Sequence, residues 1–238
     1  MDLNSCLGRC AMIMIKRFFE SAYRLWAMCI EALVRKSAFA RAEFFIGKMR
    51  RWLPDNSRVL DIGCGSGHIG AALSMRGFHV AMVDVGPPWG YIGQWLFGKP
   101  CAYALSERVG VAYDPEFCGC GLDVKTSTLD VVLLAFVLHH TENPVQLLSE
   151  AVRAVRTGGR IVVFEDIPHT RWQAFWGRVS DVLINLEFGG PHNNETDDRW
   201  QDIFYMMHLE VVYTESWVSK LGPLRFPNTM YILEKTEN

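Results

Sequence analysis

Residues 59–67, VLDIGCGSG, constrain this chain more than any other stretch: an apolar run, an acid, then three glycines alternating along a turn that a helical segment follows. Val59, Leu60 and Ile62 read as a buried strand, and His68 to Arg76 carry helical spacing. Gly63, Gly65 and Gly67 permit positive φ and close approach of another molecule to the backbone. The order predicts a strand that runs into a ligand-binding turn, the unit from which open, mostly parallel α/β sheets are built.

Two kinds of nucleotide site fit that turn. Gly65-Ser66-Gly67-His68-Ile69-Gly70 is a literal GxGxxG, and Asp84 closes the next apolar run, Phe78 to Val83, at a distance suited to a ribose contact, as in nicotinamide or flavin sites. A second register starts at Asp61, two residues before Gly63, and resembles the glycine-rich turn of class I S-adenosylmethionine (SAM) methyltransferases. That resemblance implies that Gly63, Cys64, Gly65 and Gly67 lie beside the methionine part of SAM. It also implies that Asp61 orients the turn near the ammonium, and that Asp84, with Val85 next to it, takes the ribose.

Later segments follow in the same order. Leu129 to Ala135 is a short apolar run of the kind found in central parallel strands, and it leads to Phe136-Val137-Leu138-His139-His140. Asn143-Pro144 opens a helix with an apolar stripe at Val145, Leu148, Ala151, Val152 and Val155, Thr157-Gly158-Gly159 is expected to stop it, and Arg160 to Glu165 forms the next strand. Glu210 to Ser216 and Met230 to Glu234 supply the last two strands. The block from Leu129 to Asp166 resembles small-molecule class I methyltransferases of the type 11 kind. The likeness is close over residues 58–166 and looser beyond. It implies a seven-stranded Rossmann-like methyltransferase sheet, mostly parallel with an antiparallel last strand, with helices on both faces, an N-terminal helical extension and SAM at the carboxyl ends of the strands, Ala135 among its contacts. One departure lies in the third-strand region, where Cys118 stands at the position of the acid that commonly faces adenine. Asp114, at the end of a candidate strand Arg108 to Tyr113, Asp123 or backbone groups alone are the alternatives for that contact.

Transfer of a methyl group from a sulfonium needs alignment, exclusion of water and, for some acceptors, removal of a proton. The base candidates are histidines and carboxylates near strand ends: His139 and His140 after the fourth strand, Glu165 and Asp166 at the end of the fifth, and His169 just beyond. His140 and Asp166 are the catalytic choice, while His139, Glu165, His192 and Asn193 are expected on the acceptor side; a histidine that merely caps the loop is the competing reading. Residues 167–208 should set acceptor identity, and their Trp and Phe content suits a small apolar or lipid-like molecule.

Composition fits one substantial domain: 238 residues, half of them apolar. We divide the chain into an N-terminal amphipathic helical segment, 1–52, and a SAM-dependent domain, 53–238. Met12, Ile15, Phe19, Ala22, Trp26, Ile30 and Leu33 recur at helical spacing, and basic residues outnumber acids there. Packing on the domain's own surface is the expectation, with a lid or a peripheral membrane contact as the functional alternative. Charges interrupt every apolar run, so a cytoplasmic protein is expected. Seven cysteines without a CxxC pair give neither a disulfide framework nor a metal site, so no metal is expected. Nucleic acid is not an expected partner, since Phe136-Val137-Leu138-His139 stands where base-amino methyltransferases carry a (D/N)PPY-like motif. A nicotinamide-linked oxidoreductase and a noncatalytic protein of the SAM fold remain the alternatives.

Overall fold

The computed structural model describes residues 3–85, 91–117, 121–184, 186, 188, 194–221 and 224–235, with side chains from residue 15 onward apart from Val85, Asp181, Ile184 and Leu221. The helices are α1 (Leu3–Met49), α2 (His68–Ser74), α3 (Lys99–Val109), α4 (Pro144–Ala154), α5 (Arg171–Ile184) and α6 (Asp197–Met206). The strands are β1 (Arg58–Ile62), β2 (His79–Val85), β3 (Ala112–Phe117), β4 (Leu129–Ala135), β5 (Val155–Asp166), β6 (Leu209–Leu221) and β7 (Leu224–Lys235). They form one sheet in the order β3-β2-β1-β4-β5-β7-β6. Pairings from β3 through β5 are parallel, and β7 is antiparallel to both of its neighbours.

The period of two in β1 and β4 divides the core between two layers. Leu60, Ile62, Val132 and Leu134 face α4 and α6, where Leu148, Ala151, Trp200 and Phe204 are buried. Val59, Val131, Leu133, Val162 and Phe164 face the other way and pack with Ala42, Phe45, Ile46 and Met49 of α1. The last turns of α1 are therefore part of the core. Helix starts follow their sequence signals: Asn143 Oδ1 accepts from Gln146 N–H at 3.0 Å with Pro144 in the first turn, and Thr196 Oγ1 accepts from Arg199 N–H at 3.3 Å.

Several boundaries differ from expectation. The segment read as a strand from Arg108 to Tyr113 begins as helix, because α3 continues to Val109 and is closed by Gly110 at φ +70°. β3 therefore starts at Ala112, and Asp114 sits within it rather than at its end. Thr157-Gly158-Gly159 does not stop α4, which ends at Ala154, since Val155 already pairs with Leu129 and opens β5. Asp84 lies inside β2, one residue before its end, and β6 and β7 form a longer hairpin than their apolar runs suggested. The described part of the Trp- and Gly-rich stretch 86–100 winds as a π-helical turn, Gln94–Gly98, into α3.

The largest difference is the facing of α1. Ile30 of the predicted stripe is buried, but Ile15, Phe19, Ala22, Trp26 and Leu33 are exposed. Helix α1 does pack against α2 and α3, through residues such as Ala27, Ile30 and Glu31. No helix among the described residues is long and apolar enough to cross a membrane.

Candidate cofactor and acceptor site

β1 and β4 are neighbours although distant in sequence, so the chain reverses its winding between them, and in open α/β sheets a crevice forms outside the carboxyl ends of such strands. The glycine turn occupies that place. Gly63 and Cys64 N–H donate to Val83 O at 2.9 and 3.1 Å, which ties the turn to β2. Gly63 has φ +69°, and a Cβ there would lie 2.2 Å from Val137 Cγ2, so the loop after β4 packs directly on the turn. Gly65, at φ +56°, has nothing within 4 Å of its Cβ direction. The backbone there is open to a ligand.

Asp61 stands under this turn, 1% exposed, and neither carboxylate oxygen has a hydrogen-bond partner of ordinary geometry among the described residues. Burial pushes its carboxyl up to about 7, with only the nearby Gly70 N–H pulling it back. An uncompensated buried carboxylate costs several kcal/mol by rough reckoning, so the arrangement calls for a cationic or donor-rich ligand. Cys64 is no nucleophile here, because burial, Asp84 and Asp61 hold its thiol protonated. His68 Nδ1 lies 3.0 Å from Ser66 Oγ, its ring edge meets Phe39 of α1, and burial lowers its pKa to about 4, so it is neutral.

Asp84 is also buried, and the Gln94 side-chain amide donates to its Oδ2. Tyr113 on β3 has a buried hydroxyl without a hydrogen-bond partner among the described residues, raised in pKa by burial and then by Cys64 and Asp84. Asp114 beside it is exposed, and its carboxylate accepts from Glu116 N–H at 3.0 Å. Val85 ends β2, with its side chain outside the description, and Ala135 ends β4 opposite Phe164.

The second half of the site follows β4 and β5. Phe136 adopts φ +57°, a strained conformation for a bulky residue that costs about 1–3 kcal/mol. It turns the chain into the short helical turn Leu138–His140. Glu165, fully buried, accepts from Leu138 N–H at 2.9 Å and lies 2.5 Å from His139 Nδ1, itself 2% exposed. The His139 and His140 rings lie 3.9 Å apart, and the Tyr91 ring meets His140 edge-on at 6.0 Å. Asp166 accepts from the Asn228 amide across the β5–β7 pair. Burial raises its pKa and Glu165 adds to that, while His139, Arg41 and His140 pull it down. Arg41 of α1 lies over the rings of Phe45 and Phe136. Past Asp166, a cleft of about 240 Å³ is lined by Ile167, Pro168, His169 and the start of α6.

The structure thus brings Asp61, Gly63, Cys64, Gly65, Gly67 and Asp84 to one turn, and His139, His140, Glu165 and Asp166 to the next. His192 and Asn193 lie outside the described residues. Gln94, Tyr113, Arg41 and Asn228 escaped the sequence reading. Asn228 was reachable only through the β5–β7 register, and Gln94 only through the fold of a segment without periodicity.

A sheet whose antiparallel β7 lies between β5 and β6 departs from the dinucleotide order, in which the sixth strand follows the fifth directly. Together with an acid two residues before the glycine turn, it defines the class I methyltransferase fold, whose methyl donor is SAM. The family model of a methyltransferase domain matches residues 34–211, and the chain belongs to that family. Ubiquinone biosynthesis O-methyltransferase of Aeromonas salmonicida is 29% identical over 118 residues, which cover 47% of either chain, so the match spans about half the length of that relative. The protein of the same name from Pseudomonas savastanoi pv. phaseolicola is 27% identical over 184 residues, 75% of this chain and 73% of the relative. Among solved structures, a SAM-dependent methyltransferase from Methanosarcina mazei superposes with a TM-score of 0.61 at 14% identity, over 80% of this chain and 97% of that one.

Proposed function

We propose that this protein transfers the methyl group of SAM to a small, apolar or lipid-like acceptor by in-line displacement. The observation that carries the reading is Asp61, a buried carboxylate with no hydrogen-bond partner of ordinary geometry among the described residues, beneath an open glycine backbone. SAM supplies a methyl group already activated on sulfonium, so the protein's task is placement and dryness. In this reading Asp61 accepts from the ammonium of the methionine part, and the backbone at Gly63, Cys64, Gly65 and Gly67 lies alongside. Asp84 accepts from the ribose hydroxyls, with Val85 next to it. Tyr113 or Asp114 on β3 serves the adenine side, and Ala135 closes the floor.

The residues after β4 and β5 then face the acceptor. Asp166 and His140 are the proton acceptors, and Glu165 holds His139 beside them. An apolar acceptor is supported by the half-buried Phe136 after β4, by the exposed Trp172 and Phe175 of α5, and by relatives named for ubiquinone biosynthesis. Incubation with methyl-labelled SAM and a cellular lipid extract is expected to put label into the organic phase. Label found only in water-soluble products would sink the lipid-like acceptor. No label anywhere, with S-adenosylhomocysteine (SAH) still bound, would sink methyl transfer and favour a noncatalytic protein.

Asp61 makes the reading pH-dependent. Its carboxyl is protonated below about 7 in the free protein, and only the carboxylate attracts an ammonium. SAH affinity should fall about tenfold per pH unit below that point and level off above it. In Asp61→Asn, calorimetry across the same range should show weak and flat binding; a retained slope assigns the titration elsewhere. The sign for stability is opposite. The folded state holds this proton longer than the unfolded one does, so the unliganded protein loses stability from this group as pH rises toward 7.

A further inference from the structure

The first half of α1 is amphipathic in the inverted sense. On a wheel of about 100° per residue, Ile15, Phe18, Phe19, Leu25, Trp26 and Leu33 share an arc of about 120°. All six are between 44% and 79% exposed. The polar side turns toward the domain: Arg24 pairs with Glu107 of α3 at 3.3 Å, and Glu31 is buried between Arg108, at 2.9 Å, and Arg35. These ion pairs set the rotation of the helix, and they leave the apolar stripe facing away from the body.

Charge selects what covers that stripe. From Lys16 to Lys36 the chain carries five basic residues and two acids. Of the acids, Glu20 lies 3.9 Å from Lys16 and Glu31 is held by arginines, whereas Arg17 and Lys36 have no ion pair among the described residues. A second copy laid on the same face would bring like charges together. An anionic lipid surface satisfies the apolar stripe, Lys36 within the same arc and the net positive charge of the segment, the combination that seats a helix in the headgroup region. The stripe also continues toward the cofactor side, where Trp26 Nε1 donates to Leu96 O at 3.1 Å and Trp95, Leu96 and Phe97 are themselves exposed.

We propose that residues 15–36 of α1 form a membrane-docking face that lies in the surface of an anionic bilayer without crossing it. The inference goes beyond methyl transfer and does not depend on it. The test is co-sedimentation of the whole chain with phosphatidylcholine vesicles with and without phosphatidylglycerol. The vesicles contain no SAM, and SAH binding is measured separately, so failure of one proposal is distinguishable from failure of the other. Binding is expected to the phosphatidylglycerol vesicles and to weaken with salt. Arg17→Gln with Lys36→Gln should lower partitioning at least about fivefold, the share of Lys36 within the arc. Phe18→Ser with Leu25→Ser should lower it at least about tenfold. Both pairs are exposed, and unchanged circular dichroism melts verify folding. Absence of binding to anionic vesicles overturns the proposal. So does a dimer in sedimentation equilibrium that the Phe18→Ser, Leu25→Ser pair converts to monomer, since the face then belongs to a second copy.

Discussion

Asp84→Ala should weaken SAH binding about 30- to 1,000-fold while leaving the melting temperature within a few degrees of wild type. Asp84 is buried one residue before the end of β2, beside the glycine turn, and in the proposed site its carboxylate receives both ribose hydroxyls. A hydrogen bond to a charged acceptor contributes about 1.5–3 kcal/mol. The existing Gln94 amide offsets part of that, because it must be displaced, which leaves a net of about 2–4 kcal/mol. Asp84→Asn keeps one acceptor oxygen and should fall between the two. Calorimetry with SAH decides the matter, and equal affinities for wild type and Asp84→Ala would remove the ribose assignment.

The second large effect concerns stability. Glu165→Ala should destabilise the fold by about 3–5 kcal/mol, because Leu138 N–H and His139 Nδ1 both lose their acceptor in a region closed to water. At roughly 2–4 °C per kcal/mol for a chain of this size, the melting temperature drops by about 6–20 °C. Glu165→Gln should recover most of the loss, since its amide oxygen still accepts one of the two bonds. A melt of Glu165→Ala that overlays the wild type would show that water or a rearranged loop replaces the carboxylate at no cost.

Much of the cofactor half was legible from local rules. A buried strand of β1's length, followed by glycines at alternate positions, has few structural solutions, and the acids that end or nearly end β1 and β2 follow from strand periodicity. The pairing of His139 with Glu165 was half legible: both were placed at adjacent strand ends, yet their direct contact depends on the left-handed turn at Phe136, which no residue preference announces. Asp114 was misplaced within its strand because the apolar content of the helix end, Val109 to Val111, reads equally well as the start of β3. The facing of α1 was hidden for a different reason. An apolar stripe is ordinarily assumed to look inward, and the burial of Ala27 and Ile30 together with the long-range ion pairs from Arg24 and Glu31 to α3 turns it outward.

The amide of Gln94 on Asp84 gives the site an internal competitor. A ligand that needs Asp84 binds only the fraction of molecules in which Gln94 has let go, so its apparent dissociation constant rises by the reciprocal of that fraction. Donor and product share the ribose, so the handicap falls on both alike. It leaves their relative affinities untouched and slows the capture of each. For a transferase whose spent cofactor differs from the fresh one by a single methyl group, such an even-handed handicap keeps the contest between donor and product where the methyl group alone sets it.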